Sequence, residues 1–152
     1  MSLYRQYVYA PDNTATCIPD KVEDYHETPV PKSGCKCGFW ALDDARLVIE
    51  KHCTTPKGGP PEAIGLVSGF GRFVEHTDNT YRFERMRVIA IGATPHFAAS
   101  VFSQHVDQIE RDRERLHNLS ESCRALDVPL YYDRSIDFVL GELAIAAGRY
   151  TG

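Results

Sequence analysis

Two runs decide the fold: Ala63-Ile64-Gly65-Leu66-Val67-Ser68-Gly69-Phe70-Gly71-Arg72-Phe73-Val74-Glu75-His76, and Thr80-Tyr81-Arg82-Phe83-Glu84-Arg85-Met86-Arg87-Val88-Ile89-Ala90-Ile91. Both are rich in branched and aromatic residues. The three residues between them, Thr77-Asp78-Asn79, are turn formers that tolerate positive φ. The pattern predicts a β-hairpin. Ile64, Leu66, Phe70 and Val74 share one face of the first strand, while Gly65, Gly69 and Gly71 lie on the other, where missing side chains permit sharp coiling or the close approach of another element. In the second strand Tyr81, Phe83, Ile89 and Ile91 share parity, interrupted by Arg85 and Arg87. Long, glycine-kinked strands imply a strongly curved sheet or partial barrel.

On the C-terminal side, Phe102, Val106, Ile109, Leu116, Leu119, Cys123 and Leu126 recur at three-, four- and seven-residue steps, which predicts a long amphipathic helix over 97–126. Its charged centre, residues 110–115, reads as a solvated face with i,i+4 pairs. Residues 127–132 read as a short strand with Pro129 at its start, because proline lacks the N–H of a central ladder. A last helix is predicted from Ser135, a good N-cap, through Ile136, Val139, Leu140, Leu143 and Ala147, with Gly148 as its C-cap.

On the N-terminal side, a helix is expected over 42–53, with Asp43 and Asp44 in its first turn and Lys51 and His52 in its last, where each charge complements the helix dipole. Trp40 is expected to pack on the sheet, and residues 54–61, with Pro56, Gly58, Gly59, Pro60 and Pro61, form a loop. Residues 3–9, with Tyr4, Tyr7 and Tyr9, make a strand or an arm. Residues 11–36, interrupted by Pro11, Pro19, Pro29 and Pro31, read as an irregular segment that needs an anchor. The fold class is therefore α+β: one domain over 1–152, in which a curved, glycine-kinked hairpin is packed by two to three helices. Its parts are an irregular arm (1–38), a helix plus hairpin (39–94), and a long helix, short strand and C-terminal helix (95–152).

With 152 residues, 43% apolar, 25% charged and a net charge of −4, the chain has the composition of one soluble domain. A chain of this length buries enough surface to fold without disulfides or a metal, so any such device needs another reason. No apolar run approaches the roughly 20 residues of a membrane span. Residues 1–10 lack the basic start and apolar core of a leader, so the expectation is a cytoplasmic protein with no membrane partner. Mild acidity argues against a general polyanion binder while leaving room for a local basic stripe. Five cysteines, an odd number, argue against a full disulfide framework. Cys123, on the apolar stripe of its helix, reads as a small core residue.

The cysteines of Gly34-Cys35-Lys36-Cys37-Gly38 sit between glycines that let the backbone bend tightly. The sharpest chemical reading is a zinc site that uses Cys35 and Cys37 and is completed from His26, His52, Cys53 and His76, because zinc takes sulfur and nitrogen donors in a tetrahedron. Such a metal would tie the arm to the rest of the domain. Two other readings stand beside it: thiols packed in a glycine-rich turn against Trp40, and a redox or nucleophilic pair aided by Lys36. A cysteine–histidine enzyme would add a base and an orienting group, for which His76 and Asp78 are available. No phosphate-binding Gly-x-x-x-x-Gly-Lys-Ser/Thr loop, Gly-x-Ser-x-Gly elbow or His-Glu-x-x-His motif occurs. For nucleic acid, Arg72, Arg82, Arg85 and Arg87 interleave with Phe73, Tyr81 and Phe83, the mixture of cations and stacking rings used by single-strand platforms. If the second strand keeps its alternation, Arg85 and Arg87 share a face with Tyr81 and Phe83, and Arg82 lies opposite. The plainer expectation puts the aromatics in the core and pairs the arginines with Glu75 or Glu84.

Taken together, Gly34-Cys35-Lys36-Cys37-Gly38-Phe39-Trp40-Ala41, Gly65-x-Val67-x-Gly69-Phe70-Gly71-x-Phe73-Val74-Glu75-His76 and Tyr81-Arg82-Phe83-Glu84 form a recognisable pattern. Over 26–91 the chain resembles a set of small uncharacterised proteins from actinobacteria and their phages. Those proteins carry a His, a Cys-x-Cys-Gly-aromatic-Ala segment, a helix, a Gly-x-Val-x-x-Trp-Gly strand and a Glu-His…Gly-Tyr-Arg-Ala-Glu hairpin. Here Phe70 stands at the tryptophan position and Asn79-Thr80-Tyr81 replaces Gly-Tyr. The resemblance implies a module but no activity. The expected function is a non-catalytic protein-interaction module, in a phage-like setting one that acts on a host component. The competing readings are a zinc- or thiol-dependent enzyme at Cys35/Cys37 and a nucleic-acid-binding regulator using the hairpin.

Overall fold

The structure, a computed structural model, describes residues 12–16, 26–27, 29–49, 63–94 and 106–151. Its elements are β1 (Asp12–Thr14), β2 (Phe39–Leu42), α1 (Ala45–Val48), β3 (Ile64–Glu75), β4 (Thr80–Ala93), α2 (Val106–Leu126), β5 (Leu130–Tyr132) and α3 (Ile136–Thr151). The fold is α+β, as the sequence implies. β4 is the hub of an open sheet: among the described residues β1, β2, β3 and β5 each pair with it and with no other strand. The hairpin turn falls at the expected residues, with Asn79 at φ 60° and the His76 N–H donating to Thr80 O at 2.8 Å.

The chain falls into two compact units. The described residues of the first are 45–49, 63–66, 89–94 and 106–151. Here β5 pairs in parallel with Ile91–Ala93, and the carbonyl of Pro129, just ahead of the strand, accepts the Ile91 N–H at 2.9 Å. Val139, Leu143 and Ala146, spaced four and three apart on α3, bury against Ile64 and Ala90, with Ile49, Leu66, Tyr131 and Ile136 packed around them. The missing side chain of Gly92 makes that approach possible: a Cβ there would lie 2.5 Å from Val139 Cγ1 and 2.9 Å from Leu143 Cδ1. α3 starts where its sequence says, the Phe138 N–H donating to Ser135 Oγ at 3.3 Å. It does not stop at Gly148, which lacks the left-handed φ of a C-cap glycine, and runs on through Thr151. α2 ends in a Schellman motif built on an aspartate: Asp127 takes φ 54°, its N–H donates to Arg124 O at 3.1 Å, and the Val128 N–H donates to Cys123 O at 3.0 Å. Cys123 is buried, as its place on the stripe predicts. Residues 97–105 of the expected helix lie outside the described ones.

The described residues of the second unit are 12–16, 26–27, 29–44 and 67–88. β2 pairs antiparallel with Thr80–Phe83, and β1 pairs antiparallel with Arg85–Arg87. Two expectations are corrected here. The helix expected over 42–53 starts at Ala45 rather than Leu42, because Leu42 is held in the ladder opposite Thr80 and tertiary pairing overrides the helical spacing there; α1 is described over Ala45–Val48, and residues 50–62 lie outside the described ones. The face of β4 expected in the core is the open one. Thr80, Arg82, Met86 and Val88 are buried, whereas Tyr81 and Phe83 are half-buried and Arg85 and Arg87 exposed. Alternation alone marks two faces without saying which is covered, and the bonding of Arg82 described below makes its side the inner one.

Candidate metal centre

The segment 34–38, within the loop 31–38, is bounded at both ends by glycines of positive φ. The Cys35 N–H donates to Lys32 O at 3.2 Å, closing a turn whose third residue, Gly34, has φ 81°, as a type II turn requires. Gly38, at φ 108°, passes so close to its neighbours that a Cβ would sit 3.1 Å from Pro31 Cβ and 3.3 Å from both Arg82 Cβ and Phe83 O. Between these glycines the two cysteines point into a small cluster: Val30 and Cys37 are buried, and Ala15 and Cys35 pack against them.

A single buried arginine organises the loop. Arg82 is 2% exposed. Its Nη1 donates to the carbonyls of Cys35 and Cys37, the latter at 3.0 Å, and its Nη2 reaches Lys32 O at 3.5 Å. Its Nε donates to His76 Nε2 at 2.9 Å, and its guanidinium carbon lies 5.2 Å from the centre of the Trp40 ring. Trp40, 51% exposed, stacks on His76 with centroids 5.2 Å apart, and its Nε1 donates to Lys36 O at 3.0 Å. A planar fork suits this task, since it meets several carbonyls at once in fixed directions.

His26, Cys35 and Cys37 come together. Their donor atoms all lie within 4.8 Å of one another, and His26 Nε2 is 3.4 Å from Cys37 Sγ. Zinc–sulfur and zinc–nitrogen bonds at a tetrahedral angle put a nitrogen and a sulfur ligand about 3.6 Å apart and two sulfurs about 3.8 Å apart, so the trio is close to a ligating spacing. Among the described residues His26 Nδ1 is buried and has no hydrogen-bond partner; Cys37 is 8% exposed and Cys35 half-buried. Of the other candidate ligands, His76 is engaged by Arg82 and Trp40 and stands outside the trio, while His52 and Cys53 lie outside the described residues. Nothing in the sequence marked Arg82 as the loop's organiser. Its alternation with Tyr81 and Phe83 was the one available signal, and it fitted a nucleic-acid face equally well.

The residues weighed for nucleic acid are divided between the two faces. Arg82 is buried at the loop. Opposite it, Tyr81 stacks on Phe83 at 6.2 Å, Phe73 tilts against Phe83 at 6.4 Å, and the Arg85 guanidinium lies 4.9 Å from the Phe70 ring centre. The Phe83 ring covers Gly69, where a Cβ would come within 2.3 Å of it. The Arg72 N–H donates to Glu84 Oε2 at 3.0 Å, and Arg87 is exposed opposite Asp12 in the ladder. The Tyr81 end of this face is negative: the charge of Glu75, then partial desolvation and the charge of Asp43, push the phenol above its ordinary value. Comparison with family models, with curated proteins and with solved structures gives no match. Among the described residues no helix is long and apolar enough to cross a membrane.

Proposed function

We propose that the chain is a non-catalytic binding module whose irregular arm is closed by a zinc ion on His26, Cys35 and Cys37. The observation that carries this reading is the convergence of three soft donors within 4.8 Å, one of them reached across eleven residues of chain. Zinc would clamp the described part of the arm onto the sheet, so that metal binding adds directly to folding stability. In this reading the module works in the cytoplasm, where thiols stay reduced and able to bind metal. The partner proposed is a protein, and, by analogy with the phage-like pattern over 26–91, a host component. Phe73, 62% exposed and set against the half-buried rings of Phe83 and Tyr81, offers that partner a stacking surface.

The test is metal content of the full chain purified without a chelating tag, with thiol titration of the same sample and of Cys35→Ser and Cys37→Ser variants. Close to one equivalent of zinc, lost in both variants together with thermal stability, is the expected result. A site filled to about a thousand times its dissociation constant would add about 4 kcal/mol. Metal-free protein whose thiols at 35 and 37 react at the rate of unfolded cysteine would sink the proposal.

A further inference from the structure

We infer that the fourth position at the His26/Cys35/Cys37 centre takes an anionic ligand and that Arg82 is the positioning residue that sets this preference. The inference rests on the zinc reading above. Among the described residues the centre has three donors, and zinc takes four. A divalent ion held by two thiolates and a neutral imidazole has no net charge. A neutral fourth ligand leaves it so, whereas an anion gives the complex one negative charge.

The protein already holds the matching charge. Arg82 is buried, and the groups it meets are all uncharged: the carbonyls of Lys32, Cys35 and Cys37, the imidazole of His76 and the ring of Trp40. Among the described residues no carboxylate joins them. A buried cation without an anion is expensive, and carbonyl dipoles offset only part of that cost. This guanidinium is bonded to the backbone of both thiol-bearing residues, so its charge belongs to the same loop that would carry an anionic metal complex, and the two charges would offset each other. Lys32 and Lys36, the other cations of the loop, are exposed and screened by solvent. The same fork sets geometry as well as charge. By gripping the Cys35 and Cys37 carbonyls from one atom, it holds two residues spaced i and i+2 in a bend that brings both sulfurs within reach of His26.

The test uses the full chain loaded with cobalt(II), whose visible spectrum reports each ligand. Thiocyanate, an anion, and imidazole, a neutral donor, are titrated separately into the parent, Arg82→Lys and Arg82→Met. Thiocyanate is expected to bind the parent at least about tenfold more tightly than imidazole, a preference kept in part by the lysine and lost in the methionine variant. If instead the chain fills the position itself, a charge-transfer band of three thiolates meets the inference, since that ligand is also an anion. Equal binding of the two probes, a two-thiolate spectrum that responds to neither, or an unchanged preference in Arg82→Met would overturn it while leaving the metal reading intact. Failure of the parent to take up cobalt would remove both. Should Arg82→Met not fold, the parent ratio and the lysine variant still decide.

Discussion

Replacing Gly38 with alanine, beside the same change at Gly34, isolates the role of the loop's close packing. Both glycines have positive φ, 81° at Gly34 and 108° at Gly38, but a Cβ on Gly34 meets nothing within 4 Å. Gly34→Ala therefore adds little beyond the left-handed penalty, about 1–2 kcal/mol. At Gly38 the backbone lies further into glycine-only territory, costing about 1–3 kcal/mol. The new methyl must also displace Pro31, Arg82 or the Phe83 carbonyl. Two of those three obstacles are ring or backbone atoms that cannot swing away, so crowding adds about 1–3 kcal/mol more. With about 2–4 °C of melting temperature per kcal/mol in a chain of this size, Gly34→Ala should lower Tm by about 2–8 °C and Gly38→Ala by about 4–24 °C, the larger loss of the two. Because the obstacle at Gly38 includes Arg82, the second change should also weaken zinc binding at least about tenfold, while the first leaves it near the parent value. The assay is thermal unfolding by circular dichroism with and without zinc, plus competition against a chromophoric chelator. Two variants that melt together, or a Gly38→Ala protein with the parent's zinc affinity, would refute the claim that this glycine exists to let Arg82 reach the loop.

Gly92→Ala should cost about 1–3 kcal/mol through its clash with Val139 and Leu143. Adding Val139→Ala should recover part of that loss, so that a double-mutant cycle by urea unfolding shows a favourable coupling of about 1 kcal/mol, and an additive cycle would show that the helix is not seated on that glycine. Asp127→Gly should raise Tm by about 1–4 °C by relieving the left-handed aspartate in the Schellman motif at the end of α2, read in the same melts. Burial pushes the Cys123 thiol above its ordinary value of 9.0, so the folded state favours the neutral form. That contribution is complete below the ordinary thiol value and falls away as pH rises through the folded one, so stability measured across the alkaline range should decline less steeply in Cys123→Ala than in the parent.

Much of the architecture was legible because it is locally encoded. The hairpin followed from alternation around Thr77-Asp78-Asn79, and α3 began at its serine cap. Cys123 was buried where its stripe put it. The failures have physical causes of the opposite kind. Leu42 belongs to a helical pattern by spacing but sits opposite Thr80 in the ladder, and Gly148 has the composition of a cap while its helix continues. At the candidate site the cysteine pair was readable as a donor pair, yet its completion was open by sequence among His26, His52, Cys53 and His76. Among the described residues the structure brings His26 to the pair and leaves His76 to Arg82 and Trp40, while His52 and Cys53 lie outside them.

By itself the sequence determined where the hairpin, β5 and the start of α3 lie, since turn chemistry, caps and periodicity act over a few residues, whereas the short strands β1 and β2 exist through their pairing with β4. It also determined that soft metal donors cluster in a glycine-flanked loop. Which face of β4 is covered was decided only by tertiary structure. A period of two is symmetric between faces, and the choice falls to Arg82, whose guanidinium is satisfied by carbonyls 45 to 50 residues earlier in the chain. That same long-range grip puts the aromatic residues outside, the arginine inside, and two sulfurs beside one imidazole.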